Sequence, residues 1–353
     1  MSNKPKRRAE HTIRDIAKMA GVSRSTVSLA LNSSPRIKPE TRDRVLALIK
    51  EVGYRPNKAA RDLALRTARN ILVILPQIDH IFSDSYFSES LSGILDVATR
   101  RSYHLMVEVA TDLFKHENRA LRIFQDHSID GVLAVGNLTT DDYLLKLHES
   151  GCPVVLVNSC LGEIPGVTGA NAQAAVRAVR HLNALGHRRI AHIRGSKEIW
   201  ASNQRTEGYL TAVKELELPV DEGYVAQGFF GQRSGREAMK QLLAQRHQPT
   251  AVYCANDMMA IGALQAIQEA GLRIPEDIAL VGGDDIQIAR YVTPRLTTIQ
   301  QSMYSIGEAA CEHLLRYLDD SKIYKTQIEI GLHLIIRESC GSPISRSSLP
   351  PAA

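Results

Sequence analysis

The chain has 353 residues, 44% of them hydrophobic and 23% charged, the composition of a folded protein of two or three domains and not of a disordered or fibrous one. It contains no run of about 18 apolar residues, so a membrane span is not expected, and its start, MSNKPKRRAEHTIRDI, lacks the apolar stretch of a secretion signal. The formal charge of +5 conceals a split: residues 1–69 carry 17 Lys/Arg and 6 Asp/Glu, net +11, while the remainder carries 26 and 32, net −6. A basic excess confined to one end points to a polyanion partner there. The five cysteines (Cys152, Cys160, Cys254, Cys311, Cys340) are spread out with no C-x-x-C spacing. That suits a reducing cytoplasm and argues against a disulfide framework or a zinc site.

In the basic segment, Thr12-Ile-Arg-Asp15 sets a hydroxyl three residues before a carboxylate, the start signal of a helix. Ile16, Ala17 and Ala20 give that helix an apolar face, and Gly21 ends it. Ser23 is placed to cap a second helix, Arg24 to Leu31. Val27 and Leu31 would face the first helix, leaving Arg24, Ser25, Thr26 and Ser28 outward. Pro39 opens a third helix with Val45, Leu48, Ile49 and Val52 at helical spacing, and Gly53 closes it. Three short helices with a glycine turn between the first two form a helix-turn-helix unit, whose second helix fits the major groove. A generic three-helix bundle is the plainer alternative, and the charge disfavours it.

The run from Thr12 to Asn32, TIRDIAKMAGVSRSTVSLALN, resembles the start of the LacI/GalR family of bacterial repressors, and Tyr54–Ala64, YRPNKAARDLA, resembles its hinge. The resemblance extends to about Arg337. It implies DNA contacts from Thr12, Ser23, Arg24, Ser25, Thr26, Ser28, Leu29, Asn32, Arg36, Tyr54, Asn57, Ala60 and Leu63. In the family the hinge folds on the operator and a leucine, matching Leu63, wedges into the minor groove, as apolar side chains that kink DNA do. The residues agree: Asn57 is a good cap for Lys58–Leu65, and eight residues are too few for a stable isolated helix. A linker helix with Leu63 packed on protein is the alternative. At Leu29 family members often carry Arg or His; leucine offers only apolar contact, so the operator sequence does not carry over.

From Asn70 strand-like runs (Ile71–Leu75, Leu105–Val109, Val132–Val135, Val154–Val157) alternate with helical stretches such as Leu91–Arg101 and Ala120–His127. A second series follows: Ile190–Ile193, Tyr224–Phe229, Ala251–Ala255 and Ile278–Val281. The pattern is α/β with parallel sheets in two similar lobes. It resembles the periplasmic-binding-protein fold, with ligand in the cleft at the carboxyl ends of the strands. Asn158, Asn256 and Asp284 follow such strands; each is equally a helix cap by position. The resemblance makes Asn158, Arg205, Asn256 and Asp284 cleft residues. The family commonly has Asp where Asn158 stands, so one negative charge is missing. Arg205 offers a fork for paired oxygens or forms a salt bridge between helices. Tyr86, Phe87, Trp200 and Phe230 fall at matching cleft positions, as stacking surfaces or as core.

The expected organisation is a helix-turn-helix domain at 1–56, a hinge helix and linker at 57–69, a two-lobed effector-binding and dimerisation domain at 70–341, and a disordered tail at 342–353. The N-lobe takes about 70–170 and 300–330, and the C-lobe about 171–299 and 331–341. The tail lacks leucine heptads, which favours a dimer. No nucleotide-binding glycine motif, zinc-protease motif or nucleophile elbow occurs, so no catalytic residue, metal or cofactor is expected. The reading is a cytoplasmic, nucleoid-associated transcriptional repressor. It binds a double-stranded, pseudo-palindromic operator as a homodimer and responds to a sugar, sugar acid or purine-like effector. A solute-binding transport protein or a sugar-modifying enzyme would lack a use for the basic module. Leu63→Ala is expected to weaken operator binding and reduce DNA bending while leaving phosphate-driven, non-specific binding unchanged; a circular-permutation bending assay checks this.

Overall fold

A computed structural model describes residues 11–31, 34, 36–54, 67–219, 222–320 and 327–341. Asn32, the hinge residues Asn57, Ala60 and Leu63, and the tail from 342 lie outside the described residues. The chain divides into two compact units, Met1–Ala68 and Arg69–Ala353.

The first unit holds α1 (Ile13–Ala20), α2 (Arg24–Leu31) and α3 (Pro39–Val52). The Thr12 amide donates to the Asp15 carboxylate at 2.8 Å and the Asp15 amide to Thr12 Oγ1 at 3.4 Å, so two otherwise orphaned helix donors are satisfied reciprocally. Gly21, at φ +65°, turns the chain out of α1, a conformation glycine adopts without steric cost. Ser23 Oγ accepts from the Thr26 amide at 3.1 Å and starts α2. Ile16, Ala17, Val27, Ala30, Ile37 and Val45 form the core of this unit.

The second unit begins with β1 (Asn70–Pro76), α4 (Ser85–Arg100), β2 (His104–Ala110), α5 (Asp112–His116), α6 (Arg119–Gln125), β3 (Gly131–Val135), α7 (Asp142–Glu149), β4 (Val154–Val157) and β5 (Gly166–Gly169). It continues into α8 (Asn171–Ala184), β6 (Ile190–Arg194), α9 (Trp200–Glu215), β7 (Val225–Gln227), α10 (Gln232–Leu243), β8 (Ala251–Cys254), α11 (Asp257–Glu269), β9 (Ala279–Asp284) and β10 (Thr297–Gln300). Last come α12 (Met303–Asp319), β11 (Gln327–Ile330) and β12 (His333–Ile335).

Two six-stranded sheets result, ordered β2-β1-β3-β4-β5-β11 and β7-β6-β8-β9-β10-β12. Every pairing is parallel except β10 with β12. Each sheet is covered on both faces. Residues of α4 and α12 pack on one side of the first sheet and residues of α7 on the other; α10 and α11 flank the second sheet opposite α8 and α9. Burial on both faces explains strands that are apolar throughout, such as Val-Val-Leu-Val in β4. The chain passes between lobes three times: after β5, after β10, and between β11 and β12.

Two boundaries differ from the sequence expectation. The helix expected from Leu91 begins at Ser85, because the Asp84 side chain accepts from the Tyr86 amide at 2.9 Å and caps it there. The strand expected over Tyr224–Phe229 is only Val225–Gln227: Tyr224 belongs to a preceding 3-10 turn, and Phe230 takes φ +64°, which ends the extended chain. Among the described residues no helix is long and apolar enough to cross a membrane, and no cluster of three His, Cys, Asp or Glu could hold a metal ion.

Asp257, at the start of α11, is fully buried. Its carboxylate accepts from Thr298 Oγ1 at 2.5 Å and from the Ile286 amide at 2.9 Å, tying α11 to β10 and to the end of β9. Burial, with Asp284 nearby, pushes this carboxyl up to about 7. The folded protein therefore holds a proton that the unfolded chain releases above the ordinary Asp range of about 3.9. The resulting stabilisation is complete below that range and is lost as pH rises through about 7. Thermal melts from pH 4 to 7.5 should show wild type losing Tm relative to Asp257→Asn as pH rises.

Candidate functional site

Because strand order reverses between β1 and β3 and between β6 and β8, each lobe opens a crevice at the carboxyl ends of its strands. Backbone strain gathers at those ends. Asn158 after β4 has φ +54°, Phe230 after β7 has +64°, and Asp284 and Asp285 at the end of β9 have +119° and +58°. Positive φ costs a non-glycine residue about 1–3 kcal/mol and persists where the surroundings impose it.

Arg205 on α9 is the centre of the site. Its Nε donates to Asn171 Oδ1 at 2.8 Å. Nη1 donates to the Ala255 carbonyl and Nη2 to Gln301 Oε1, and both approach Asp284 Oδ1 at 3.3 Å. The side chain is only 8% exposed. Burial opposes its charge most strongly, but Asp284, Tyr253 and Tyr86 together outweigh it and hold the guanidinium above its ordinary value. For Asp284 burial wins over Arg205 and pushes the carboxyl up to about 6, with Asp84 and Glu89 adding to the rise. Asn171 carries the network onward: its Nδ2 reaches Asn158 Oδ1 at 3.3 Å, and Asn158 Nδ2 donates to the Tyr86 hydroxyl at 3.4 Å. A polar chain thus runs from Asp284 in the C-lobe to Tyr86 in the N-lobe, where burial pushes the Tyr86 phenol up to about 12 and keeps it protonated.

The structure links Asn158, Arg205, Asp284 and Tyr86 in one hydrogen-bonded network, and engages Asn256, Phe87 and Phe230 elsewhere. Asn256 is a helix cap: its Oδ1 accepts from the Met259 amide at 2.9 Å and its Nδ2 donates to the Phe230 carbonyl at 2.9 Å. Phe87 lies in the N-lobe core, with its ring against Gly136 and edge-on to Tyr86 at 5.0 Å. The Phe230 ring covers Gly195, where a Cβ would come within 2.2 Å of it. Trp200 is half-buried at the first position of α9. His192, not singled out from sequence, lies beneath the network. It stacks between Tyr209 and Tyr253 at 5.1 and 5.0 Å, and burial lowers it to about 4, so it is neutral at physiological pH.

Asn171 and Gln301, the two partners that join Arg205 to the crossings between lobes, are also absent from the sequence reading; nothing in their local pattern marks them. Asp285 faces away from the cleft. It accepts from Arg337 and, at 3.1 Å, from Arg290, fastening the end of β9 to the final segment of the fold. Asn137 Oδ1, Ser159 Oγ and Ser202 Oγ are buried polar atoms with no hydrogen-bond partner among the described residues.

In the first unit, Ser23, Arg24, Ser25 and Arg36 are exposed, and Thr26, Ser28 and Tyr54 are half-buried. Leu29 is half-buried against the small core. The Thr12 hydroxyl is engaged with Asp15 at 2.8 Å. The outward edge of α2 therefore offers one guanidinium and several hydroxyls, groups able to donate to phosphate oxygens and base edges.

Removing Arg205 would leave Asp284 buried without its counter-charge and would unpair Asn171 and Gln301. Breaking a buried, hydrogen-bonded ion pair costs about 3–5 kcal/mol. Arg205→Ala should therefore lose folding stability of that order in denaturant titrations, which would make it unsuitable as a silent probe of ligand binding.

Residues 12–57 match the family described as bacterial regulatory proteins, lacI family, and residues 179–340 match the periplasmic binding protein-like domain. Catabolite control protein A of Priestia megaterium is 34% identical over 331 residues, covering 93% of this chain and 98% of that protein. The repressor CytR of Escherichia coli K12 is 34% identical over 330 residues, covering 93% and 96%. Among solved structures, the lac repressor dimer bound to operator and the anti-inducer ONPF superposes with a TM-score of 0.80 at 25% identity, covering 94% of this chain and 99% of that one. With a near-complete match to such relatives and both structural units accounted for, the chain belongs to the lacI family of bacterial regulatory proteins.

Proposed function

We propose that the protein is a transcriptional repressor that binds a pseudo-palindromic operator as a homodimer and responds to a small metabolite held between its lobes. The observation that carries this reading is the joining, in one chain, of a capped helix-turn-helix unit with exposed Arg24 and Ser25 to a cleft floored by the buried Arg205–Asp284 pair. The names of the relatives support it: they are control proteins and repressors. So do the titles of the structural neighbours, a lac repressor dimer on its operator and a CelR–cellobiose complex, the latter with TM-score 0.73 at 28% identity.

In this reading residues 1–56 form the DNA module, 57–69 the hinge and linker, and 70–341 the effector and dimerisation domain, in a protein acting at the chromosome in the cytoplasm. Arg24, Ser25, Thr26 and Ser28 read the major groove, and Leu63 wedges the minor groove. In the cleft, Asp284, Tyr86 and Asn158 contact the effector, Arg205 holds Asp284 in place, and Trp200 and Phe230 flank it. The effector acts by favouring one arrangement of the lobes. Because Arg205 rests on Asn171 and Gln301, beside two of the three crossings, a ligand that draws on Asp284 shifts the groups that set the lobes' relation. The coupling is reciprocal: whatever factor the effector applies to operator affinity, the operator applies to effector affinity.

The test is a gel shift with DNA flanking the gene, with and without candidate sugars and nucleosides. Contacts to roughly 6–10 phosphates imply an affinity loss of about 10³-fold or more between about 50 and 200 mM salt. An affinity indifferent to salt would show that the basic unit is not the DNA module.

A further inference from the structure

Two arginines are held beside α9, and they differ in what surrounds them. Alternate residues of β6 face that helix: Ile190 packs in the core beneath it, His192 stacks on Tyr209, and Arg194 comes next in the row. Arg205 has acceptors around its guanidinium and an aspartate for its charge. Arg194 has no such set. Of its five N–H donors, the described residues engage only Nη2, which donates to Asn203 Oδ1 at 2.8 Å. Its Nε is buried with no hydrogen-bond partner among them. Burial lowers this guanidinium from its ordinary value, and no carboxylate offsets the effect. A buried donor left without an acceptor is costly, and an acceptor from outside the chain would remove the cost.

Arg194 lines a groove of about 390 Å³ along α9, a volume in the range of small-molecule sites. The groove runs from Asn203 past Glu207 and Leu210 to Lys214, and it shares no lining residue with the Arg205–Asp284 network. Leu210 is 47% exposed and gives it an apolar wall. Glu207, its one carboxylate, accepts from Gln204 Nε2 at 3.0 Å and does not act on Arg194. Lys214 is three turns beyond Asn203, roughly 16 Å along the helix. At the Arg194 end the groove is connected to the contact between lobes. Asn203, which accepts from Arg194, donates through Nδ2 to the Lys197 carbonyl at 2.8 Å. The next carbonyl, that of Glu198, accepts from the Thr139 amide of the N-lobe at 2.8 Å.

We infer that this groove is a second ligand site, outside the inter-lobe cleft, for a small organic oxyanion whose phosphate or carboxylate head accepts from the unengaged donors of Arg194 and whose apolar body lies along Leu210. A charge-assisted hydrogen bond to the head group supplies both the acceptor and the counter-charge that the chain withholds. With its guanidinium fixed, Arg194 holds Asn203, and Asn203 holds the loop that carries Glu198. The bound anion therefore steadies the Thr139–Glu198 contact, giving the lobes an input separate from the ligand between them.

The full-length protein carries its own reporter: its single tryptophan, Trp200, opens α9 three residues before Asn203. Trp200 fluorescence is titrated with phenyl phosphate, benzoate, inorganic phosphate and neutral benzyl alcohol, at an ionic strength of about 0.15 M, where the Debye length is about 8 Å. Phenyl phosphate or benzoate should bind below about 1 mM, and the tighter of the two identifies the head group. Benzyl alcohol, lacking the charge, and inorganic phosphate, lacking the apolar body, should bind more weakly. Arg194→Gln should cost at least about tenfold, the loss of one charge-assisted hydrogen bond, and Arg194→Lys should recover part of it. Lys214→Gln removes the same charge three turns away and should change affinity by less than about twofold. Saturating phenyl phosphate should slow hydrogen exchange at the Thr139 amide in wild type and not in Arg194→Gln. The site is overturned if neither aromatic anion binds below about 1 mM, if benzyl alcohol or inorganic phosphate binds as tightly, or if Lys214→Gln costs as much as Arg194→Gln. It is equally overturned if Arg194→Gln keeps wild-type affinity, because an anion held in the inter-lobe cleft or by the basic N-terminal segment would behave in that way. Unchanged exchange at Thr139 overturns the link to the lobes.

Discussion

A guanidinium buried between two lobes is the constraint around which the second unit is arranged. Taking Arg205 out of water is tolerable only if every N–H finds an acceptor and its charge finds a partner. Meeting that demand recruits a carbonyl at the end of β8, an aspartate at the end of β9, an asparagine at the start of α8 and a glutamine just beyond β10. The unusual backbone of Asp284 follows: at φ +119° its side chain turns toward Arg205 while its neighbour Asp285 turns toward Arg337. Consecutive aspartates thereby serve two structures at once, the floor of the cleft and the closure of the C-lobe.

The first unit is stabilised differently. Its core is six small or medium side chains, little apolar area to offset the entropy of ordering three helices. Local bonds make up part of the difference: the reciprocal Thr12–Asp15 pair, the Ser23 cap and the left-handed glycines 21 and 53 each fix a helix end. The same economy leaves the outer edge of α2 polar and unpacked, as a surface that meets base edges must be. Among the described residues, Arg14, Lys18, Arg24, Arg36, Lys38, Arg44 and Lys50 of this unit are exposed, where phosphates can reach them.

These local devices are why the first unit was legible in the sequence. A cap and its helix lie within three or four residues of each other, so Thr12, Gly21, Ser23 and Gly53 announce themselves. Strands β1, β3 and β4 were equally plain, being apolar along their length. Strands such as β5, Gly-Val-Thr-Gly, and the three-residue β12 carry no such run; they are strands because neighbours pair with them. The cleft was half legible. Asn158 and Asp284 emerged from their position after strands and from family likeness, and Arg205 from family likeness alone. Asn171 and Gln301 did not, since they meet Arg205 across 34 and 96 residues of chain, a distance over which no sequence pattern operates. Tyr86 and Phe87 show the limit of reading adjacent aromatics alike: successive helix positions point about 100° apart, and one reaches the cleft network while the other enters the core.

The three passages between lobes lie side by side. The Ala170 amide bonds the Ile330 carbonyl at 2.8 Å, and Gly169 packs closely against Leu332 and Gln301, to which a Cβ would come within 3.0 and 3.2 Å. Three short straps laid in parallel behave as a leaf hinge: they bend together about the line that crosses them, but a twist must stretch one while slackening another. The two lobes are thereby left with essentially one degree of freedom, and any signal that leaves the cleft is carried as a position along that single coordinate.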